Sequence, residues 1–175
     1  GLTPPRRGAV FFKGEDITHL PINERARLGL GLSFQRPPTL RGVQLKNLLA
    51  LYSKEIDVGR RLALTYNFED FLESRHRLGL SAGQVKKSEL LQLLAQSPDL
   101  LLLDEPESGV DVENLDVICQ MIRKLLQKDL PTKRRKSGLI ITHTGLILNY
   151  VNADRGHVML NGHIYCHGNP LDIFE

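Results

Sequence analysis

The sequence predicts an α/β fold built on a buried sheet, and three observations carry that expectation. Leu100-Leu101-Leu102-Leu103 is a continuous apolar run that ends in Asp104-Glu105-Pro106. Such a run suits a strand buried on both faces, as in a parallel sheet, with polar groups where open α/β sheets place ligands. Leu115, Ile118, Ile122 and Leu125 recur at the spacing of a helix that faces a core. Strand-like and helix-like segments alternate through the central half of the chain.

The elements follow in order. Ala9 to Lys13 reads as a short strand and Gly14-Glu15-Asp16 as a turn. Pro21 to Arg27 opens a short helix, and Leu30 to Phe34 forms the next strand. Gln35-Arg36-Pro37-Pro38 stops that strand, and its prolines disfavour immediate continuation as a helix. From Val43 to Leu78 the character is mostly helical, with polar interruptions around Asp57-Val58-Gly59, and reads as a small inserted helical subdomain. Ala82 to Gln96 should be a helix. Val85, Leu90, Leu91 and Leu94 give it an apolar face, Lys86, Lys87 and Glu89 its polar contacts, and Ser97-Pro98-Asp99 its end. A second helix spans Val112 to Lys128. Gly138 to Thr142 reads as a buried strand and Gly145 to Tyr150 as a short helix. Val158 to Leu160 and His163 to Cys166 pair around Asn161-Gly162, a strong hairpin signal.

Composition bounds the function. A chain of 175 residues can bury one sizeable core, and 41% hydrophobic with 25% charged residues is ordinary for a globular protein. No apolar run approaches a membrane span and no secretory signal is visible, so the membrane part of any transporter would be another chain. The formal charge of +3 does not imply nucleic-acid binding, and Lys133-Arg134-Arg135-Lys136 reads as a solvated loop. Cys119 and Cys166 are too few for a disulfide framework, which fits a reducing cytoplasm. His157, His163, Cys166 and His167 lack the compact spacing of a zinc site, and strand alternation turns Cys166 away from His163 and His167.

Several short segments carry chemistry. In a nucleotide hydrolase, the first carboxylate of an Asp-Glu pair after a buried strand helps hold Mg²⁺, and the second orients or activates the attacking water. A strand ending in a charged turn is the plainer alternative for Asp104-Glu105. Ser81 and Gly83 precede a helix whose N-terminal N–H groups attract phosphate, and Ser81 is also a natural helix cap. Gln35 follows Leu32-Ser33-Phe34, and His143 ends the apolar run Leu139 to Thr142.

Taken in chain order, Ser33-Phe34-Gln35, Leu80-Ser81-Ala82-Gly83-Gln84, Leu103-Asp104-Glu105, Ser108-Gly109-Val110-Asp111 and Ile141-Thr142-His143 closely resemble five motifs of the ATP-binding cassette ATPases. These are the Q-loop, signature motif, Walker B, D-loop and H-switch. The resemblance covers almost the whole chain. It implies a P-loop NTPase-like core, with ATP and Mg²⁺ as cofactors. Glu105 and His143 would be catalytic. Gln35, Ser81, Gly83, Gln84, Asp104 and Asp111 would contact nucleotide, and Gln35 and Asp104 the metal, Asp104 either directly or through water. The signature segment would act in trans, closing over ATP held by a second ATPase subunit, so the resemblance implies a homodimer on ATP binding. Ala82 stands where glycine is usual. It also implies a division into residues 1–42 (core with Q-loop), 43–80 (helical subdomain) and 81–175 (signature helix and core).

One motif is missing: no segment fits the phosphate-cradling G-x-x-x-x-G-K-[ST]. Gly1 to Gly8 looks like the stretch that follows the P-loop helix in the family, and the expectation is an N-terminally truncated chain that is inactive alone and exposes apolar surface. Gly83 to Gln92, Glu107 to Leu115, Ile147 to Asp154 and His157 to Gly162 further resemble the Suf-type iron–sulfur cluster assembly ATPase. That resemblance implies a soluble scaffold partner. The alternatives are the ATPase of a membrane importer, with a permease as partner, and a non-enzymatic fragment that retains partner-binding surfaces.

Overall fold

The structure is a computed structural model, and it describes residues 1–38, 40, 42–53, 57–73, 79–130 and 136–173. Lys133 to Arg135 of the basic stretch and Leu78 at the end of the helical stretch lie outside the described residues. Strands β1 (Phe11–Phe12) and β2 (Glu15–Asp16) form a small antiparallel hairpin. Helix α1 (Ile22–Arg27) leads into β3 (Leu30–Ser33). Helices α2 (Leu45–Tyr52) and α3 (Val58–Thr65) and a 3₁₀ turn (Glu69–Phe71) follow. Then come α4 (Ala82–Gln96), β4 (Leu100–Asp104), α5 (Val112–Leu125) and β5 (Ser137–Ile141). After a 3₁₀ turn (Leu146–Asn149), β6 (Gly156–Leu160) and β7 (His163–Gly168) pair as an antiparallel hairpin around Asn161-Gly162.

The expected parallel sheet is present, in the order β3-β4-β5. Its register aligns Ser33 with Leu103 and Asp104 with Ile141, so all three strands finish at one end. Residues just beyond each terminus, Gln35, Glu105 and His143, therefore share one edge of the fold. Close packing behind the sheet depends on Gly31. A Cβ there would fall 2.6 Å from Pro98 Cγ and 2.9 Å from Leu93 Cδ2, so only hydrogen lets β3 lie against the end of α4.

The core joins α2 and α3 to α4, β4 and α5 in a single cluster that includes Leu45, Leu49, Phe68, Leu90, Leu101 and Ile122. Burial departs from expectation in three places. In β4 only Leu101 and Leu103 are fully buried, while Leu100 and Leu102 are half-covered, because the helices pack on one face of the sheet. Strand β5 is largely exposed, with Leu139 and Ile141 more than half accessible, where a buried strand was expected. It pairs only with β4, and its other edge has no partner among the described residues. In α4, Lys86, Lys87 and Glu89 are buried while Val85 and Leu94 are half-covered, so the polar residues are part of the interior. Helix α5 also stops at Leu125, three residues before the expected Lys128, and Gly145 to Tyr150 contains a 3₁₀ turn instead of an α-helix.

Candidate functional site

Glu105 is the centre of the site. Its backbone N–H donates to Ile141 O at 2.9 Å, extending the β4–β5 pairing one residue past the strand. Its φ of +43° is left-handed, a conformation that costs a non-glycine residue about 1–2 kcal/mol. That turn swings the carboxylate away from the strand direction. Gln35 Nε2 donates to Glu105 Oε2 at 2.6 Å, and His143 Nδ1 lies 2.8 Å from Glu105 Oε1. The two oxygens of one carboxylate are thus engaged by groups from the two flanking strands. The Glu105 side chain is 16% exposed and that of His143 67%, so the cluster opens outward from the sheet end. Asp104 closes β4 beside it and is half-buried.

A buried polar network supports Gln35 from behind. Ser33 Oγ donates to Glu89 Oε2 at 2.7 Å, and the Phe34 backbone N–H to Glu89 Oε1 at 3.0 Å. Lys86 Nζ donates to Phe34 O at 2.7 Å and lies 3.3 Å from Glu89 Oε2. Both backbone polar groups of Phe34, the residue before Gln35, are held by α4. From sequence alone, Lys86 and Glu89 are expected to make only general polar contacts on α4. Their i,i+3 spacing on one helix face was the available signal.

The second group of predicted residues sits at two helix N-termini. Ser81 caps α4 in a reciprocal capping box with Gln84. Asp111 caps α5, accepting from the Asn114 backbone N–H at 2.9 Å. Hydrogen bonds first from the Asn114 side chain and then from its backbone hold the Asp111 carboxyl below the usual carboxylate range. The two helix starts touch at Gly83, where a Cβ would lie 3.2 Å from Asn114 Cβ. Lys87, one turn further along α4, faces the Phe68 ring at 5.7 Å. Burial lowers its pKa, and the nearby Asp111 acts in the opposite sense.

The structure therefore joins Gln35, Glu105 and His143 by direct contact, with Asp104 adjacent. It gathers Ser81, Gly83, Gln84 and Asp111 at the α4–α5 start. The two groups are linked through the loop from Glu105 to Asp111, not by side-chain contact between Glu105 and Ser81. Among the described residues no group of three or more His, Cys, Asp or Glu side chains could hold a metal ion. Mg²⁺ needs no such cage, since it keeps waters and substrate phosphates as ligands and takes one or two protein oxygens. The Asp104 carboxylate and the Gln35 amide oxygen are donors of that hard type. Cysteine chemistry is absent from the cluster: burial pushes the Cys119 thiol up to about 12, with Asp116 and Glu107 adding to the effect.

Residues 1–108 match the family described as ABC transporter. The chain belongs to that family. This ABC cassette is 32% identical to an ABC transporter ATP-binding protein of Methanocaldococcus jannaschii, over 98% of the chain and 70% of the relative. It is 32% identical to an ABC transporter ATP-binding protein of Streptococcus pyogenes, over 93% of the chain and 67% of the relative. An ATP-dependent transporter protein of Synechocystis is 33% identical over 92% of the chain and 67% of its own length. Among solved structures, a nucleotide-free ATP-binding cassette from an ABC transporter superposes with a TM-score of 0.76 at 23% identity, covering 99% of this chain and 75% of that one. A dimeric post-hydrolysis cassette bound to ADP and Pi superposes with a TM-score of 0.78 at 19% identity, covering 97% and 76%. These likenesses establish the α/β cassette fold. No helix among the described residues is long and apolar enough to cross a membrane.

Proposed function

We propose that this cassette supplies the catalytic half-site of an ATP hydrolase that drives conformational change in a partner. The observation that carries the reading is the convergence of Gln35 and His143 on the Glu105 carboxylate at the ends of three adjacent strands. Glu105 accepts a proton from the attacking water. His143 faces the γ-phosphate and orients that water. Gln35 reports the state of the site to the segment after β3. Asp104 and Gln35 are the oxygen donors for Mg²⁺, which neutralises phosphate charge when bound. Ser81, Gly83 and Gln84, at the α4 N-terminus, and Asp111, in the adjoining loop, face nucleotide held by a second subunit. The helices of residues 43–80 form the partner-facing part of the cassette, with residues 1–42 and 81–175 as its core. A cytoplasmic location suits this role.

Phosphate binding is the weak point of these residues taken alone. The 175-residue chain has no G-x-x-x-x-G-K-[ST] segment, so it lacks both the backbone cradle and the neutralising lysine. Calorimetry of this chain with MgATP should give no measurable heat of binding. A 1:1 isotherm of ordinary cassette affinity would overturn the expectation.

The names of the relatives favour a transporter, with a transmembrane permease as partner. A second reading is cluster assembly on a soluble Suf-type scaffold. It is supported by the Suf-like run Gly83 to Gln92 and by the segments Glu107 to Leu115, Ile147 to Asp154 and His157 to Gly162. Co-purification of the tagged protein from its native host separates them. Recovery with a multispanning permease selects the first reading, and recovery with an iron–sulfur scaffold selects the second. Recovery with neither, from cells where the protein is abundant, counts against partner-driving ATPase function.

A further inference from the structure

His143 poses a structural problem. Its side chain is 67% exposed, so packing cannot hold the ring against Glu105, and its backbone belongs to a loop beyond the last pair of the sheet. Thr142 and Thr144 flank it, and both hydroxyls donate to one oxygen of Glu107, the Thr144 bond measuring 3.0 Å. The same hydroxyls accept backbone N–H groups, Thr142 Oγ1 from Gly145 at 3.0 Å and Thr144 Oγ1 from Leu146 at 3.3 Å. The loop is therefore stapled at both sides of His143 to a single carboxylate. Glu107 is only 6% exposed, and its Oε2 is buried without a hydrogen-bond partner among the described residues. A position that served packing alone would not keep a carboxylate under that desolvation cost.

We propose that Glu107 is a positioning residue for His143, holding the loop so that Nδ1 meets Glu105. Glu107 stands two residues after Glu105, so the base and the group that aims its histidine partner ride on one short turn. Movement of that turn shifts both ends of the His143–Glu105 contact together. The inference rests on the reading of His143 as a group of the phosphate site, but its test uses no nucleotide. Failure of the ATPase reading would leave the result below intact.

At 2.8 Å from a carboxylate oxygen, Nδ1 carries the proton, because two facing lone pairs would repel. The neutral ring of wild-type His143 should therefore show a protonated Nδ1 and an unprotonated Nε2 in ¹⁵N spectra of the full chain at one fixed alkaline pH. Glu107→Gln keeps an acceptor oxygen for both threonines and should retain that pattern. Glu107→Ala should lose it, with His143 reverting to a protonated Nε2, while the backbone amide spectrum keeps its wild-type dispersion. The Thr142→Val/Thr144→Val double variant, which leaves Glu107 in place, should lose it in the same way and carries the test where Glu107→Ala does not fold. A protonated Nδ1 persisting in a folded Glu107→Ala or in the double threonine variant overturns the proposal. So does its absence from the wild type.

Discussion

Replacing Glu105 with glutamine should cut ATP turnover by about 10²–10⁴-fold, the usual worth of a positioned proton acceptor. The assay uses a chimera in which a phosphate-binding G-x-x-x-x-G-K-[ST] segment is fused ahead of Gly1. Glutamine keeps the size of the side chain and one acceptor oxygen, enough for one of the two donors Gln35 and His143, so nucleotide binding by the chimera should change little. The loss is then in kcat, as expected when a group acts only in the transition state. Turnover within twofold of the parent chimera would remove Glu105 from the role of base.

Replacing Lys86 with alanine should destabilise the fold by about 3–5 kcal/mol, the range for removing one member of a buried ion pair. The Lys86 and Glu89 side chains are 4% and 7% exposed, so water cannot take over for the missing partner. Glu89 would still accept from Ser33 and Phe34 but would lose the Lys86 ammonium, and the Phe34 carbonyl would lose that donor. A Lys86→Met/Glu89→Leu double variant removes both charges of the pair and should cost less than Lys86→Ala, as when a buried pair is replaced whole by apolar residues of similar size. Denaturant unfolding monitored by circular dichroism checks both. A Lys86→Ala midpoint equal to wild type would show that the pair contributes nothing to stability. In the chimera, Lys86→Ala should also lower kcat, since Gln35 follows directly on the clamped Phe34.

Most strands and helices were legible because their signals are local. A run of leucines ended by two carboxylates, a period of 3.6 in α5 and an Asn-Gly turn each need only neighbouring residues to interpret. Ser81 and Gln84 are a capping box written in four residues, and the structure contains it. The resemblance of five ordered segments to one family led to the same cassette fold that the comparisons support. Burial was less legible. A strand such as Leu139 to Ile141 looks interior from its composition, yet one of its edges is unpaired among the described residues, and Leu139 and Ile141 are exposed. The polar residues of α4 misled in the opposite direction, since Lys86 and Glu89 satisfy each other and the end of β3 inside the protein.

By itself the sequence determined the order of most regular elements and the family. It did so because hydrophobic period, caps and turns act over a few residues. Only the tertiary structure decided that Gln35 and His143 meet on opposite oxygens of Glu105, and that Glu107 binds both threonines beside His143. Those contacts join residues from about 35 to 70 positions apart in the chain. Strand register sets such distances to a fraction of an ångström, and it arises from how the whole sheet packs on α4 and α5.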